Sequence, residues 1–227
     1  MLTRYLTKED HCLKPIRFDQ LEGIIWDWNG TLLNDTGLSV QTINGMLLKR
    51  NLQQLSLGEY KDVFTFPVRN YYQKIGFDFD AEPFEIPALE FTQLFNNQVN
   101  NCKLHEDAVP VLKHFRSLGL RQFILSAMQQ DALDQCLENQ HINHYFEHVS
   151  GLDNHFAVSK LDNGQRLIAK LNLDVNKVIV IGDTVHDFEV ARRLGCQCIL
   201  ISQGHQSRQV LEAVGVLVID EIGQLLD

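Results

Sequence analysis

The stretch Ile24-Ile25-Trp26-Asp27-Trp28-Asn29-Gly30-Thr31-Leu32-Leu33 begins apolar, reaches a carboxylate and turns at a glycine. A short apolar run of this kind reads as a strand buried on both faces, here Gly23–Trp28. A carboxylate at its end lands on the carboxyl edge of a sheet. Gly30 permits a sharp turn and close backbone approach. Successive backbone N–H groups in such a turn, those of Trp28 and Gly30 among them, form a nest for an anion. On the bland reading, Asp27 and Asn29 only terminate a strand.

Working outward, further strand-like runs lie at Arg121–Ala127, Phe146–Ser150, Lys177–Asp183 and Gln197–Ser202, with Val216–Asp220 as a sixth candidate. Helical patterns fall between them at Ala108–Leu118, Asp131–Asn139, Leu161–Leu171 and Phe188–Leu194. Gly119 and Gly195 follow two of these as C-terminal caps. Strands alternating with helices predict an α/β protein with a parallel sheet covered on both faces. From Asn34 to Leu104 the alternation stops and amphipathic patterns take over: Leu38, Ile43, Leu47, Leu48; then Val68, Tyr71, Tyr72, Ile75; then Leu89, Leu94, Phe95. Pro67 marks a helix start within it. The expected organisation is an α/β core of 1–33 and 105–227, with 1–20 as an extension, and an inserted helical cap at 34–104. An insertion after the first strand sits over the carboxyl ends of the strands, where ligands bind in such sheets.

The net charge of −9 argues against nucleic acid or an anionic membrane as the main partner, since both reward a basic face. A small phosphate ester remains compatible, because a magnesium ion inverts the local charge. The five cysteines, Cys12, Cys102, Cys136, Cys196 and Cys198, contain no CxxC pair and read as reduced thiols of a cytoplasmic protein. The first 20 residues lack an apolar signal region. The oligomeric state is not written in the sequence.

The fourth strand ends in Gly182-Asp183-Thr184-Val185-His186-Asp187. Asp183 lies on the carboxyl edge, and Asp187 follows in the first turn of the next helix. The bland alternative makes Asp183 an N-cap and Asp187 a dipole-compensating charge. Two acidic edges on neighbouring strands repel unless a cation lies between them, and oxygen ligands with room for water suit magnesium. Ser126 ends the second strand, where its hydroxyl and the N–H of Ala127 can hold a phosphoryl oxygen. Lys160 precedes the helix before the fourth strand and can neutralise nucleophile and phosphate. Lys170 is its rival. His186 lies in the Asp183 loop and faces substrate or solvent. Arg69 is the cap side chain best suited to reach a substrate anion, although a solvated helix face is the reading its position favours.

In this order, Asp27-Trp28-Asn29-Gly30-Thr31, strand-end Ser126, Lys160 and Gly182–Asp187 resemble the haloacid dehalogenase superfamily of phosphohydrolases over about residues 20–205. The insertion resembles the helical cap of its phosphoglycolate-phosphatase-like branch. The resemblance implies a Rossmann-like core and a magnesium-dependent phosphatase acting on a small phosphorylated metabolite through an aspartyl phosphate. It makes Asp27 the nucleophile and assigns magnesium to Asp27, Asp183, the Asn29 carbonyl and, from nearby, Asp187. It gives Ser126 and Lys160 the phosphoryl group and Thr31 a role in steadying the first loop. The family's phosphatases place an acid–base aspartate where this chain has Asn29, and a neutral amide cannot do that work. Losing such a group costs about 10²–10⁴ in rate. Asn29 therefore also suggests a low-turnover phospholigand-binding protein, or another enzyme of the superfamily such as a phosphomutase or phosphonate hydrolase.

Overall fold

The computed structural model describes residues 16–152 and 159–226. Most of the expected N-terminal extension lies outside these residues. Apolar runs flanked by glycine and polar residues form six strands: β1 Gly23–Trp26, β2 Arg121–Gln129, β3 His148–Leu152, β4 Val178–Gly182, β5 Gln197–Ile201 and β6 Leu217–Ile219. They make one parallel sheet in the order β3-β2-β1-β4-β5-β6. The chain is thus α/β, as its alternating pattern predicts. β1 stops two residues short of the expected Trp28, because the backbone turns toward Gly30, whose φ is +75°. β2 runs past its expected end at Ala127 and shifts register between Leu125 and Gln129.

Both faces of the sheet are covered. Ile24 and Trp26 point into a cluster with Leu112, Phe115, Leu133 and Leu137. Ile25 points the other way, toward Leu167, Val190, Leu194 and Leu211. The first cluster is covered by α5 Ala108–Ser117 and α6 Gln130–Gln140; the second by α7 Lys160–Leu171, α8 Val185–Leu194 and α9 Arg208–Glu212. Burial on two faces explains why the strands read as continuous apolar runs. The buried amide of Gln122 is satisfied at both ends, accepting from Trp26 Nε1 at 3.1 Å and donating to the Leu112 carbonyl at 2.9 Å.

Between β1 and α5 lie α1 Thr36–Lys49, α2 Leu57–Val63, α3 Val68–Lys74 and α4 Glu85–Asn96, with no strand among them. The passages into and out of this helical layer run side by side: Asn34 N–H donates to Lys103 O at 2.9 Å and His105 N–H to Leu32 O at 3.0 Å. The layer has its own core of Ile43, Met46, Leu47, Tyr60, Tyr71, Tyr72 and Phe77. Arg50 reinforces it by pairing with Glu82 at 2.7 Å and Glu90 at 2.8 Å. Phe77 stacks on Tyr72 at 4.8 Å and lies under the Arg50 guanidinium at 5.1 Å. Phe77→Ala should therefore destabilise the layer by about 3 kcal/mol. Hydrogen exchange should accelerate in residues 36–101 while β1 and β4 amides keep their protection; equal acceleration in both would mean that the two clusters unfold as one.

Candidate active site

The strand order reverses between β1 and β4, and the carboxyl ends of these neighbours carry the acidic residues. Asp27 follows β1, its N–H bonded to Ile181 O at 2.8 Å, and Asp183 follows β4. Asp187 comes from the first turn of α8. One carboxylate oxygen from each of the three lies within 4.8 Å of the others, and all three residues are buried. Asp183 is not the helix N-cap; Thr184 is, because the Asp187 carboxylate takes the N–H and hydroxyl of Thr184 at 3.0 and 2.7 Å. Asp183 is instead held by the Thr31 hydroxyl at 2.8 Å and the His205 N–H at 2.6 Å. Only a glycine fits at positions 30 and 204, where a Cβ would collide with the Asp183 carboxylate.

Lys160, the first residue of α7, reaches between the carboxylates. Its Nζ is 2.5 Å from Asp27 Oδ1 and 2.5 Å from Asp187 Oδ1. Lys170, its rival, is exposed on the far part of the same helix. Burial raises the Asp27 carboxyl, with Asp187 and Asp183 adding repulsion that Lys160 only partly offsets. Burial likewise raises Asp183. It pushes Asp187 upward too, but Lys160 and Thr184 hold that group below the usual carboxylate range. Burial lowers and the two carboxylates raise Lys160, whose net shift is upward. Three carboxylates thus face one ammonium. That oxygen-only donor set, short of positive charge, fits a magnesium ion held by Asp27 and Asp183 with Asp187 beside them.

A cavity of about 460 Å³ opens above these groups, between the sheet edge and the helical layer. Asp27, Asn29, Ser126, Ala127, Lys160 and Asp187 line it. Oδ2 of Asp27 accepts no hydrogen bond among the described residues. Ser126 is not at a strand end but at the register shift of β2, where its Oγ accepts the Met128 N–H at 3.0 Å and leaves the hydroxyl proton to donate. Trp28 and Gly30 are not on the cavity wall: the Trp28 side chain is in the sheet core and Gly30 packs on Asp183. Arg69 does not reach the cavity either. It is exposed, its guanidinium 4.7 Å from the Phe79 ring centre and 5.6 Å from that of Phe84. Those rings offer it a cation–π seat on the outer surface. His186 does line the cavity, stacked on Phe66 at 4.6 Å.

Two residues that sequence reasoning passed over are central. Asp35 is buried, accepts the Gly30 N–H at 2.7 Å and receives the Asn29 side-chain amide at 2.9 Å. His205 lies with Nε2 3.4 Å from Asp35 and Nδ1 2.9 Å from the Tyr60 hydroxyl. Burial lowers its pKa, but Asp35 and Asp183 outweigh this and raise it to about 9. The Asn-Asp-Thr run at 34–36 was the available signal for Asp35. Nothing local marks His205.

Residues 24–201 match the family model described as haloacid dehalogenase-like hydrolase. A phosphoglycolate phosphatase of Synechococcus elongatus is 23% identical over 197 residues, covering 85% of this chain and 89% of that protein. The structure of a "predicted phosphatase" from Clostridium acetobutylicum superposes with a TM-score of 0.77 at 18% identity, covering 90% of this chain and 96% of that one. The protein tyrosine kinase A of Mycobacterium tuberculosis does so with a TM-score of 0.76 at 18% identity and the same coverages. These two likenesses show the fold, which by itself does not select a chemistry.

The amide of Asn29 is committed to Asp35, so its replacement has a defined cost. Asn29→Asp sets a carboxylate 2.9 Å from the Asp35 carboxylate. It should lower stability by about 2 kcal/mol in urea titrations. The swap Asn29→Asp with Asp35→Asn restores the donor and should recover most of that loss; equal losses in both variants would mean that this bond does not hold the loop.

Proposed function

The chain belongs to the haloacid dehalogenase-like hydrolase family, and on that premise we propose that it is a magnesium-dependent phosphatase working through an aspartyl phosphate on a small phosphorylated metabolite. The supporting observation is Asp27 Oδ2, a carboxylate oxygen with no partner among the described residues, on the wall of the cavity beside a buried ammonium. Oδ2 attacks phosphorus in line with the ester oxygen. The P–Oδ2 bond forms, the P–O ester bond breaks, and the leaving oxygen takes its proton from water. A water then attacks the phosphorus, giving inorganic phosphate and a proton and returning the Asp27 carboxylate. Lys160 Nζ, the Ser126 hydroxyl and the Ala127 N–H hold phosphoryl oxygens through both steps. Magnesium held by Asp27, Asp183 and the Asn29 carbonyl, with Asp187 nearby, would neutralise the charge that phosphate brings to an acidic site. The net charge of −9 supports a small-molecule partner over nucleic acid or membrane, and no described helix is long and apolar enough to cross a membrane.

One observation favours a second reading, a phospholigand-binding protein of low turnover. The Asn29 amide is bonded to Asp35 and can give no proton to a leaving group. The two readings separate on one set of measurements. Asp27→Asn should abolish magnesium-dependent turnover of acetyl phosphate, a substrate whose leaving group needs little protonation. Beryllium fluoride with magnesium should raise the melting temperature of the wild type alone. Undiminished turnover in the variant would remove Asp27 as nucleophile, and stabilisation of the wild type without turnover would favour binding.

A further inference from the structure

The helical layer supplies most of the wall above Asp27, and that wall is aromatic. Phe64, Phe66, Tyr71, Phe84, Phe91 and Phe95 all line the cavity. The Tyr71 hydroxyl is buried with no partner among the described residues. His186 stacks on Phe66 and continues this aromatic wall.

Residues 34–104 contain six Lys and Arg, all within the described residues, and none lines the cavity. Each has another seat. Lys49 and Arg50 pair with Glu90, and Arg50 also with Glu82. Lys61 Nζ donates to the Ser202 and Gln203 carbonyls at 2.7 and 3.3 Å. Arg69 lies over Phe79 and Phe84, and Lys74 and Lys103 face solvent. Among the described residues, Lys160 is the sole Lys or Arg on the cavity wall, and it is already bound to two carboxylates. Asp27, Asp35 and Asp187 share that wall. A substrate with an anionic group beyond its phosphate would meet carboxylates and aromatic rings, with His205, a further basic side chain on the wall, already held between Asp35 and Tyr60. At about 460 Å³ the cavity is also sized for a ligand much larger than a two-carbon acid.

Resting on the phosphatase reading above, we propose that the substrate is a phosphate monoester whose organic part is an uncharged, largely apolar ring system, and not a phosphorylated small acid such as phosphoglycolate. Aromatic walls favour rings through offset and edge contacts as well as through buried area. Asn29 leans the same way on independent grounds. Without an acid at that position the leaving oxygen departs unprotonated, and a phenolic oxygen, with an ordinary pKa of about 10, tolerates this better than an alkoxide.

Recognition can be measured apart from turnover. 1-Naphthyl phosphate and 2-phosphoglycolate are titrated calorimetrically into Asp27→Asn with magnesium, and each is tested as a competitive inhibitor of wild-type acetyl phosphate hydrolysis. The naphthyl ester should bind at least tenfold tighter. Equal or tighter binding of phosphoglycolate, or no detectable binding of the naphthyl ester at millimolar concentration, would overturn the proposal. Leu89 lines the cavity while 43% exposed, so Leu89→Arg supplies the missing cation where the fold tolerates it. That variant should shift the affinity ratio toward phosphoglycolate by about tenfold; no shift would place the organic part elsewhere. If the naphthyl ester binds as expected but the wild type hydrolyses neither it nor acetyl phosphate, the phosphatase reading fails and the ligand class stands.

Discussion

An ammonium taken out of water costs several kcal/mol unless its partners come with it. Lys160 is buried, and its partners come from two other elements: Asp27 from the end of β1 and Asp187 from the start of α8. The site therefore exists only when β1, α7 and α8 are all in place. The helix holding Lys160 gains nothing from this residue. A cation in the first turn opposes the helix dipole, and Ser159 and Asp162 form the capping box that stabilises this end. Lys160 is where it is because of the carboxylates. Without it, Asp27 and Asp187 would face each other at the sheet's switch point, with compensation left only at Asp183, beside His205.

A second set of contacts joins the core to the helical layer. Asp35 holds the turn at Gly30 and the amide of Asn29, and His205 links that carboxylate to Tyr60 of α2. The same loop after β5 adds a bond from Gln206 Nε2 to Phe64 O at 2.7 Å and from Ser207 N–H to Lys61 O at 3.0 Å. The His205 N–H meanwhile donates to Asp183. One histidine thus touches the acidic cluster, the turn after β1 and the helical layer. A shift of α2 is felt directly at the carboxylates, which couples the cavity's wall to its floor.

The contrast between what the sequence discloses and what it hides has a physical basis. Strands buried on both faces must be apolar throughout, so their runs and terminal carboxylates stand out; Asp27 and Asp183 were legible for that reason, Asp187 through its spacing from Asp183, and Lys160 through its place in the order of the family's motifs. Asp35 was not, because its role depends on the chain doubling back so that its carboxylate meets Gly30 N–H. His205 sits in a loop, and its partners Asp183, Tyr60 and Asp35 come from three distant segments of the chain. Arg69 lies on a solvated helix face, the reading the sequence favoured over a substrate contact. Helical periodicity identified a free cation on α3 but could not show that Phe79 and Phe84 lie beneath it. Ser126 was expected at a strand end, since a register shift is invisible in an apolar run such as Phe123-Ile124-Leu125.

The helical wall and Asn29 bear on one question, which is where the barrier to reaction is lowered. A site without a carboxylic acid beside the leaving oxygen forgoes about 10²–10⁴ in rate for poor leaving groups. Interactions with the distant part of a substrate can offset this only if they fix the reacting atoms in line, since uniform binding leaves the chemical step unchanged. Aromatic side chains packed from several helices suit that task. They present rigid surfaces whose own positions are set by contacts such as Phe64 against Tyr71 at 5.2 Å and Phe91 against Phe95 at 5.6 Å. Flexible lysines would hold an anion with less geometric definition. On the phosphatase reading, the charged floor would grip phosphate whatever ester it belongs to, and selectivity would rest with the apolar wall.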